Sequence, residues 1–451
     1  MSGFVGAVAL TLSVLFIAYV VLIIVPFLRL KHVDPGESDK YQWHFFIPCR
    51  DESAVIGQTI SRSRSDFPMA HVWVIDDASV DTTLDIAREA AASDPYVHVV
   101  SRTPPNARTG KGDALNDAYA HLLSWLPDGV DRSRVIVMVL DADGELGAGS
   151  LDAVSSMTGF GNESVGAVQI TVWMKNRDDR PSVRRGIGVA DFFSRMLVRM
   201  QDLEFRTAIA AMQSLRGKTG SVGLGGNGQF TRLSVLDEIG RQYGVPWHGS
   251  LLEDYELGIH VLMAGSGISH VHEAHVSQEA LTSFRRLVTQ RSRWAQGNIQ
   301  CFSYLKAIFR SPNFSSAAVL EASYYLVLPF LQLLGILVFL IVGVLTVLNL
   351  MFGSFAADTY LRDLPGALLL FVLFSIGPFL VWGPIYRSKC EPGISILTSL
   401  GYGLAYWLYV YYMYLVIPRA FMRVLLRRRG WAKTRRNAEE HISGMKTALD
   451  R

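Results

Sequence analysis

Phe4 to Leu28 carries no charged side chain, and the run exceeds the roughly 20 residues that cross a bilayer as a helix. In hydrocarbon every backbone N–H and C=O must be satisfied inside the segment, so such a run has one solution, a spanning helix. Three further apolar runs return late in the chain, at Val319–Phe352, Ala367–Trp382 and Ile394–Ile417. A cleaved leader is the alternative for the first run. It is too long for that, no basic residues precede it, and no small-residue cleavage site comes after it. Arg29, Lys31 and His32 come directly after it, which places the next, soluble-like segment in the cytosol. The expectation is a multi-pass protein of the plasma membrane with its soluble part cytoplasmic.

The late runs raise a conflict. Three crossings after a cytosolic segment would put the end of the chain outside, yet Arg423 to Arg436 is strongly basic and belongs inside. Either Val319–Phe352, with Pro329 and Gly335, is not one simple span, or one stretch is re-entrant. A cytosolic tail is expected. The net charge is only +3, too little to argue for nucleic acid, and basic residues at Arg285–Arg293 and Arg419–Arg436 flank apolar stretches as contacts to lipid headgroups would. Three cysteines, Cys49, Cys301 and Cys390, offer neither a disulfide framework nor metal-ligand spacing.

Between the first run and the others the composition is that of a soluble α/β domain. Strand-type runs at Trp43–Ile47, His71–Ile75, Val135–Leu140 and Val165–Ile170 alternate with helix-type stretches such as Asp81–Ala92 and Asp113–Leu123. That order predicts a parallel sheet with helices on both faces, and such sheets collect ligands beyond their strands' carboxyl ends. Leu281–Cys301 reads as an amphipathic helix lying in the membrane interface, with Arg285, Arg286 and Arg293 turned away from its apolar side. An ordinary surface helix is the alternative. The expected division is 1–30 spanning helix, 40–280 catalytic domain, 281–315 interfacial helices, 316–420 spanning helices and 421–451 basic tail.

Acidic residues cluster at the expected strand ends. Asp76 and Asp77 come after Val72–Ile75, where carboxylates can accept from a nucleotide's base and ribose; Ser79 or Asp81 capping the next helix explains the same cluster. Asp141-Ala142-Asp143 comes after Val135–Leu140 and offers two hard oxygen ligands for a divalent ion shared with a diphosphate. A polar loop would look the same. Lys111, before a helix start, can offset phosphate charge, or it is a solvated loop lysine. Gly223–Gly228 is glycine-dense but lacks the strand-first context of a dinucleotide fingerprint. Glu253-Asp254 can supply a general base if geometry allows, and Gln290–Trp294 an arginine and an indole for a diphosphate and a sugar ring. Interfacial anchoring competes for the last pair. His270, His272 and His275 match no strong metal pattern.

Taken in order, these segments resemble family 2 membrane glycosyltransferases, the group that includes bacterial cellulose, hyaluronan and poly-N-acetylglucosamine synthases. The likeness runs from Phe46-Ile47-Pro48-Cys49-Arg50-Asp51-Glu52 to Gln290–Trp294, and Gly225–Arg232 is similar to that family's acceptor-side loop. The resemblance implies a GT-A fold, a Rossmann-like parallel or mixed sheet, and inverting transfer that depends on Mg2+ or Mn2+. Asp76, Asp77, Lys111 and Asp141 would hold a nucleotide-sugar of the UDP-sugar kind, and Asp143 with Asp141 the metal. Asp254 beside Glu253 would be the base, with Gly226, Asn227, Gln290, Arg293 and Trp294 at the acceptor and diphosphate. Trp431–Arg435 is similar to C-terminal motifs near the donor site in some relatives. No cyclic-dinucleotide-sensing module is expected. The leading expectation is a processive polysaccharide synthase that exports its polymer. Its rival adds one sugar to a lipid, as ceramide glucosyltransferase-like relatives do, and a catalytically silent scaffold subunit comes third.

Overall fold

The computed structural model describes residues 2–179, 188–352 and 369–428. Eight strands form one sheet: β1 (Gln42–Cys49), β2 (His71–Asp77), β3 (Val97–Arg102), β4 (Val135–Val139), β5 (Glu145–Leu146), β6 (Val165–Met174), β7 (Gln229–Arg232) and β8 (Gly267–Gln278). Their spatial order is β3-β2-β1-β4-β7-β6-β8-β5. The half from β3 to β4 is parallel, but β7 runs antiparallel to both β4 and β6. The sheet is therefore mixed, one of the two forms that the resemblance implies. β7 is short and comes directly after the glycine-rich loop, so its sequence carries almost no strand signal of its own.

The β1, β2 and β4 strands read as continuous apolar runs because both of their faces are covered. Phe45, Ile47 and Val74 point into one buried layer and Phe46, Ile75 and Val137 into the other. Two helices that cover the sheet, Thr83–Ser93 and Lys111–Trp125, start within two residues of the expected positions.

Among the described residues four helices are long and apolar enough to cross a membrane: Ala7–Leu28, Ser316–Leu348, Leu369–Lys389 and Ile396–Leu425. The last two cross closely at Gly383, where a Cβ would stand 1.9 Å from the carbonyl oxygen of Ser399. Glycine there lets two backbones touch, the means by which helices associate without a hydrophobic driving force. One helical stretch escaped the sequence reading. Val189–Leu203, a π-helical turn at Glu204–Ile209 and Ala210–Thr219 belong by position to the soluble part. Leu203, Ala210 and Ala211 nevertheless pack with Phe27 of the first helix and with Trp382 and Tyr406. This stretch joins the sheet to the apolar helices.

The helix expected in the interface spans Phe284–Cys301. Leu287, Val288, Arg291, Ser292 and Gln296 are all buried, a wider face than a helix floating on lipid would cover. Arg291 is the reason. It pairs with Glu204, which also accepts from the hydroxyls of Tyr409 (3.0 Å) and Tyr412 (3.1 Å), and so it ties the helix to both the π-helical turn and the last apolar helix.

Candidate active site

One large cavity, about 440 Å³, opens where the carboxyl ends of β1 and β4 meet the glycine-rich loop and the Phe284–Cys301 helix. Its polar end is built around Lys111. The ammonium donates to Asp141 Oδ1 (2.8 Å) and to the carbonyl of Gly226 (2.7 Å) and stands 3.9 Å from Glu253 Oε1. Burial pulls its pKa down, but Asp141 and Glu253 overcome this and leave it raised. Lys111 is a charged element of the site, not a solvated loop residue.

Glu253 and Asp254 open the helix Glu253–Met263. Burial raises the pKa of both carboxyls. Asp254 is pushed up to about 7, burial first and the neighbouring Glu253 second, with Lys111 acting against them. Two acids side by side in a dry site cannot both ionise cheaply. The glycine-rich loop closes over them. A Cβ on Gly226 would lie 3.2 Å from Asp254 Oδ2 and 3.3 Å from Lys111 Nζ, so any larger residue here would press on both charged groups. The loop is locked from behind. Gln169 donates to the Asn227 carbonyl (3.0 Å) and accepts from the Gly225 N–H (2.7 Å), while Asn227 Oδ1 accepts from the Asp141 N–H (3.2 Å).

Gln290, Arg293 and Trp294 also line the cavity. Arg293 thus faces the cavity, where the resemblance puts it, and its charge stabilises the ionised carboxyl of Glu253. Three expected site residues do not line this cavity. Asp77 is buried and accepts from Arg102 and from the Arg108 N–H (2.8 Å). Asp76 Oδ2 accepts weakly from the Ser79 N–H (3.3 Å), and its buried Oδ1 has no partner. Asp143 is buried, and its Oδ2 accepts from the Glu279 N–H (2.9 Å). Of the capping candidates, Asp81 holds the start of its helix by accepting from the Thr83 N–H (3.0 Å).

The sequence reading missed Arg50, Glu52, Arg216 and Glu279, all on the cavity wall. The first two could have been found, since they come after β1 as the aspartates come after β2 and β4. Arg216 and Glu279 reach the wall through long-range packing. The lining also includes the aliphatic side chains of Ile209, Leu328, Pro329, Val416 and Ile417, most of them on the apolar helices, with Tyr325, Gln332 and Tyr412 among them.

A family model described as glycosyltransferase like family 2 matches residues 42–297, more than half of the chain. The chain belongs to glycosyltransferase family 2. Its mixed sheet is that of the GT-A fold. Over 259 residues it is 28% identical to a beta-monoglucosyldiacylglycerol synthase of Synechocystis sp., a match covering 56% of this chain and 47% of that protein. A shorter match, 38% over 98 residues, is to an undecaprenyl-phosphate mannosyltransferase of Micrococcus luteus and covers 22% of this chain and 36% of the relative. The chain thus spans about half the length, or less, of these two curated relatives. Among solved structures, a mannosyltransferase from Pyrobaculum calidifontis in complex with GDP-Man and Mn2+ superposes with a TM-score of 0.54 at 17% identity, over 90% of this chain and 98% of that one. That likeness concerns the fold.

Proposed function

We propose that this glycosyltransferase moves a single sugar from a nucleotide-sugar to the hydroxyl group of a membrane lipid. The observation that carries the reading is the cavity's mixed chemistry, with buried carboxylates and Lys111 alongside aliphatic side chains. A lipid acceptor needs both at once, a place for its chains and a base for its hydroxyl. A polyprenyl phosphate would not need the base, because its nucleophilic oxygen is already ionised; an Asp254 that titrates near 7 suits a hydroxyl. The names borne by the relatives, a glycolipid synthase among them, support the lipid reading over the processive polysaccharide synthase expected from sequence.

In this mechanism Asp254 accepts the proton of the acceptor hydroxyl as its oxygen attacks the anomeric carbon from the face opposite the diphosphate, so the configuration inverts. Arg293 and Lys111 offset the charge that grows on the leaving diphosphate, where preorganised cations in a dry site are worth most. Among the described residues no three His, Cys, Asp or Glu side chains assemble into a ready metal site. Of the two aspartates after β4, Asp141 lines the cavity while Asp143 is buried and accepts from the Glu279 N–H (2.9 Å); hard oxygen donors of this kind, completed by diphosphate oxygens, are what magnesium or manganese share. Asp141 and Asp143 would hold that ion, which neutralises diphosphate charge when bound. We place residues 40–280 on the cytosolic side, supported by the basic residues after the first apolar helix.

The test is a donor screen with purified full-length protein and lipid acceptors, read by product mass. A lipid carrying one added sugar is expected. A ladder of products would overturn the single-addition reading, and transfer confined to polyprenyl phosphate would overturn the hydroxyl acceptor.

A further inference from the structure

Arg216 is buried on the wall of the same cavity, with its side chain only 4% exposed. Its Nε donates to Glu321 Oε1 (2.8 Å), and its guanidinium carbon lies 4.3 Å from the centre of the Tyr325 ring. Glu321 Oε2 is taken up by the Ser221 hydroxyl (2.9 Å). Nη2 of Arg216, by contrast, is buried with no hydrogen-bond partner. A guanidinium N–H left unpaired in a dry site is costly, and the position of the guanidinium is informative. On one side Nη1 lies 3.3 Å from where a Cβ on Gly223 would stand, beside Tyr255 and the loop that covers Asp254. On the other side Tyr325 leads, one turn on, to Leu328 and Pro329 of the aliphatic lining. Arg216 thus stands at the junction of the catalytic end and the chain-binding end.

We propose that Arg216 reads the acceptor's headgroup by donating an Nη N–H to an uncharged oxygen, an ester carbonyl of a neutral glycerolipid, so that the free hydroxyl of that lipid meets Asp254. This deepens the function proposed above and rests on it. The neutrality comes from the pairing. Glu321 already matches the charge of Arg216, and a phosphate brought to the guanidinium would add a second anion beside Glu321 in a poorly screened site. The remaining Nη N–H groups of a charge-matched arginine are suited to a carbonyl.

The experiment compares 1,2-dioleoylglycerol with its ether analogue 1,2-dioleylglycerol, which keeps the hydroxyl and chains but lacks both ester carbonyls. Nucleoside diphosphate release and product mass are monitored with the full chain in nanodiscs. Wild type should favour the ester by at least about tenfold in kcat/KM, on the scale of one charge-assisted hydrogen bond. Arg216→Gln/Glu321→Gln, which removes both charges together, should bring the two lipids to near equality, and Arg216→Lys should fall between. Equal use of ester and ether by wild type would overturn the proposal without any variant and leave the lipid reading standing, as would undiminished discrimination in the folded double variant. Failure of wild type to glycosylate either lipid, with donor turnover on another acceptor, would sink the lipid reading itself.

Discussion

Asp254 shows how far residue identity alone can be taken. Glu253-Asp254 is visible in the sequence as a candidate base, but a surface acidic pair is equally readable, because burial is what separates the two and burial is not local. In the folded protein the pair lies under Gly226 and beside Lys111, and that neighbourhood defines its chemistry. Asp254→Asn should lower kcat by about 10²–10⁴, the range for loss of a general base, measured as nucleoside diphosphate release. The base must be ionised to work, and Asp254 titrates near 7, so kcat/KM should fall about tenfold per pH unit below that point and level off above it. Lys111 favours the ionised form. Lys111→Met should therefore move the acid limb of the pH profile to higher pH, and a limb that stays put or moves down would contradict the assignment. Asp77, read as a donor ligand, is held by Arg102 and the Arg108 backbone instead; nothing in the Asp-Asp dipeptide says which carboxylate the fold will use for itself.

At the scale of elements, hydrophobic pattern foretold the long pieces and missed the couplings between them. The apolar helices and the β1, β2 and β4 strands were legible because each repeats one kind of residue at one period. The Glu204–Ile209 turn was not, since its meaning lies in Arg291, Tyr409 and Tyr412, far away in sequence. Arg291→Met leaves Glu204 buried without its cation and should destabilise the protein by about 3–5 kcal/mol. Arg291→Met/Glu204→Gln should recover most of that loss in a thermal melt. A second element-level device is the edge of the sheet formed by β1, β2 and β3, where His44, His71 and His98 contact one another and Trp125. Burial lowers the pKa of all three, His71 to about 4. The unfolded chain binds these protons near 6.5 and the folded one resists them. Stability should therefore be constant on this account above about pH 6.5 and decline as pH falls from there towards 4. A melting temperature unchanged between pH 7 and 5, or His71→Gln retaining the full acid loss, would count against it.

For the molecule as a whole, the decisive feature is that the catalytic sheet and the apolar helices share one cavity. If Asp141 and Asp143 hold a divalent ion against the diphosphate, chelation should abolish transfer, magnesium or manganese should restore it, and Asp143→Ala should behave like the chelated enzyme. Full activity in either case would remove the metal from the mechanism. The basic segment Trp431–Arg435, similar to tail motifs of some relatives, and most of the basic tail lie outside the described residues. The amino-acid order was enough to specify a family 2 glycosyltransferase with a GT-A sheet between apolar helices, because periodicity, charge-free length and motif order are written along the chain. Which carboxylates face the cavity, that residues 189–219 belong with the apolar helices, and that aliphatic side chains share the cavity with Asp254 emerged only on folding. Each depends on which distant side chains end up packed together, and a local pattern holds no record of that.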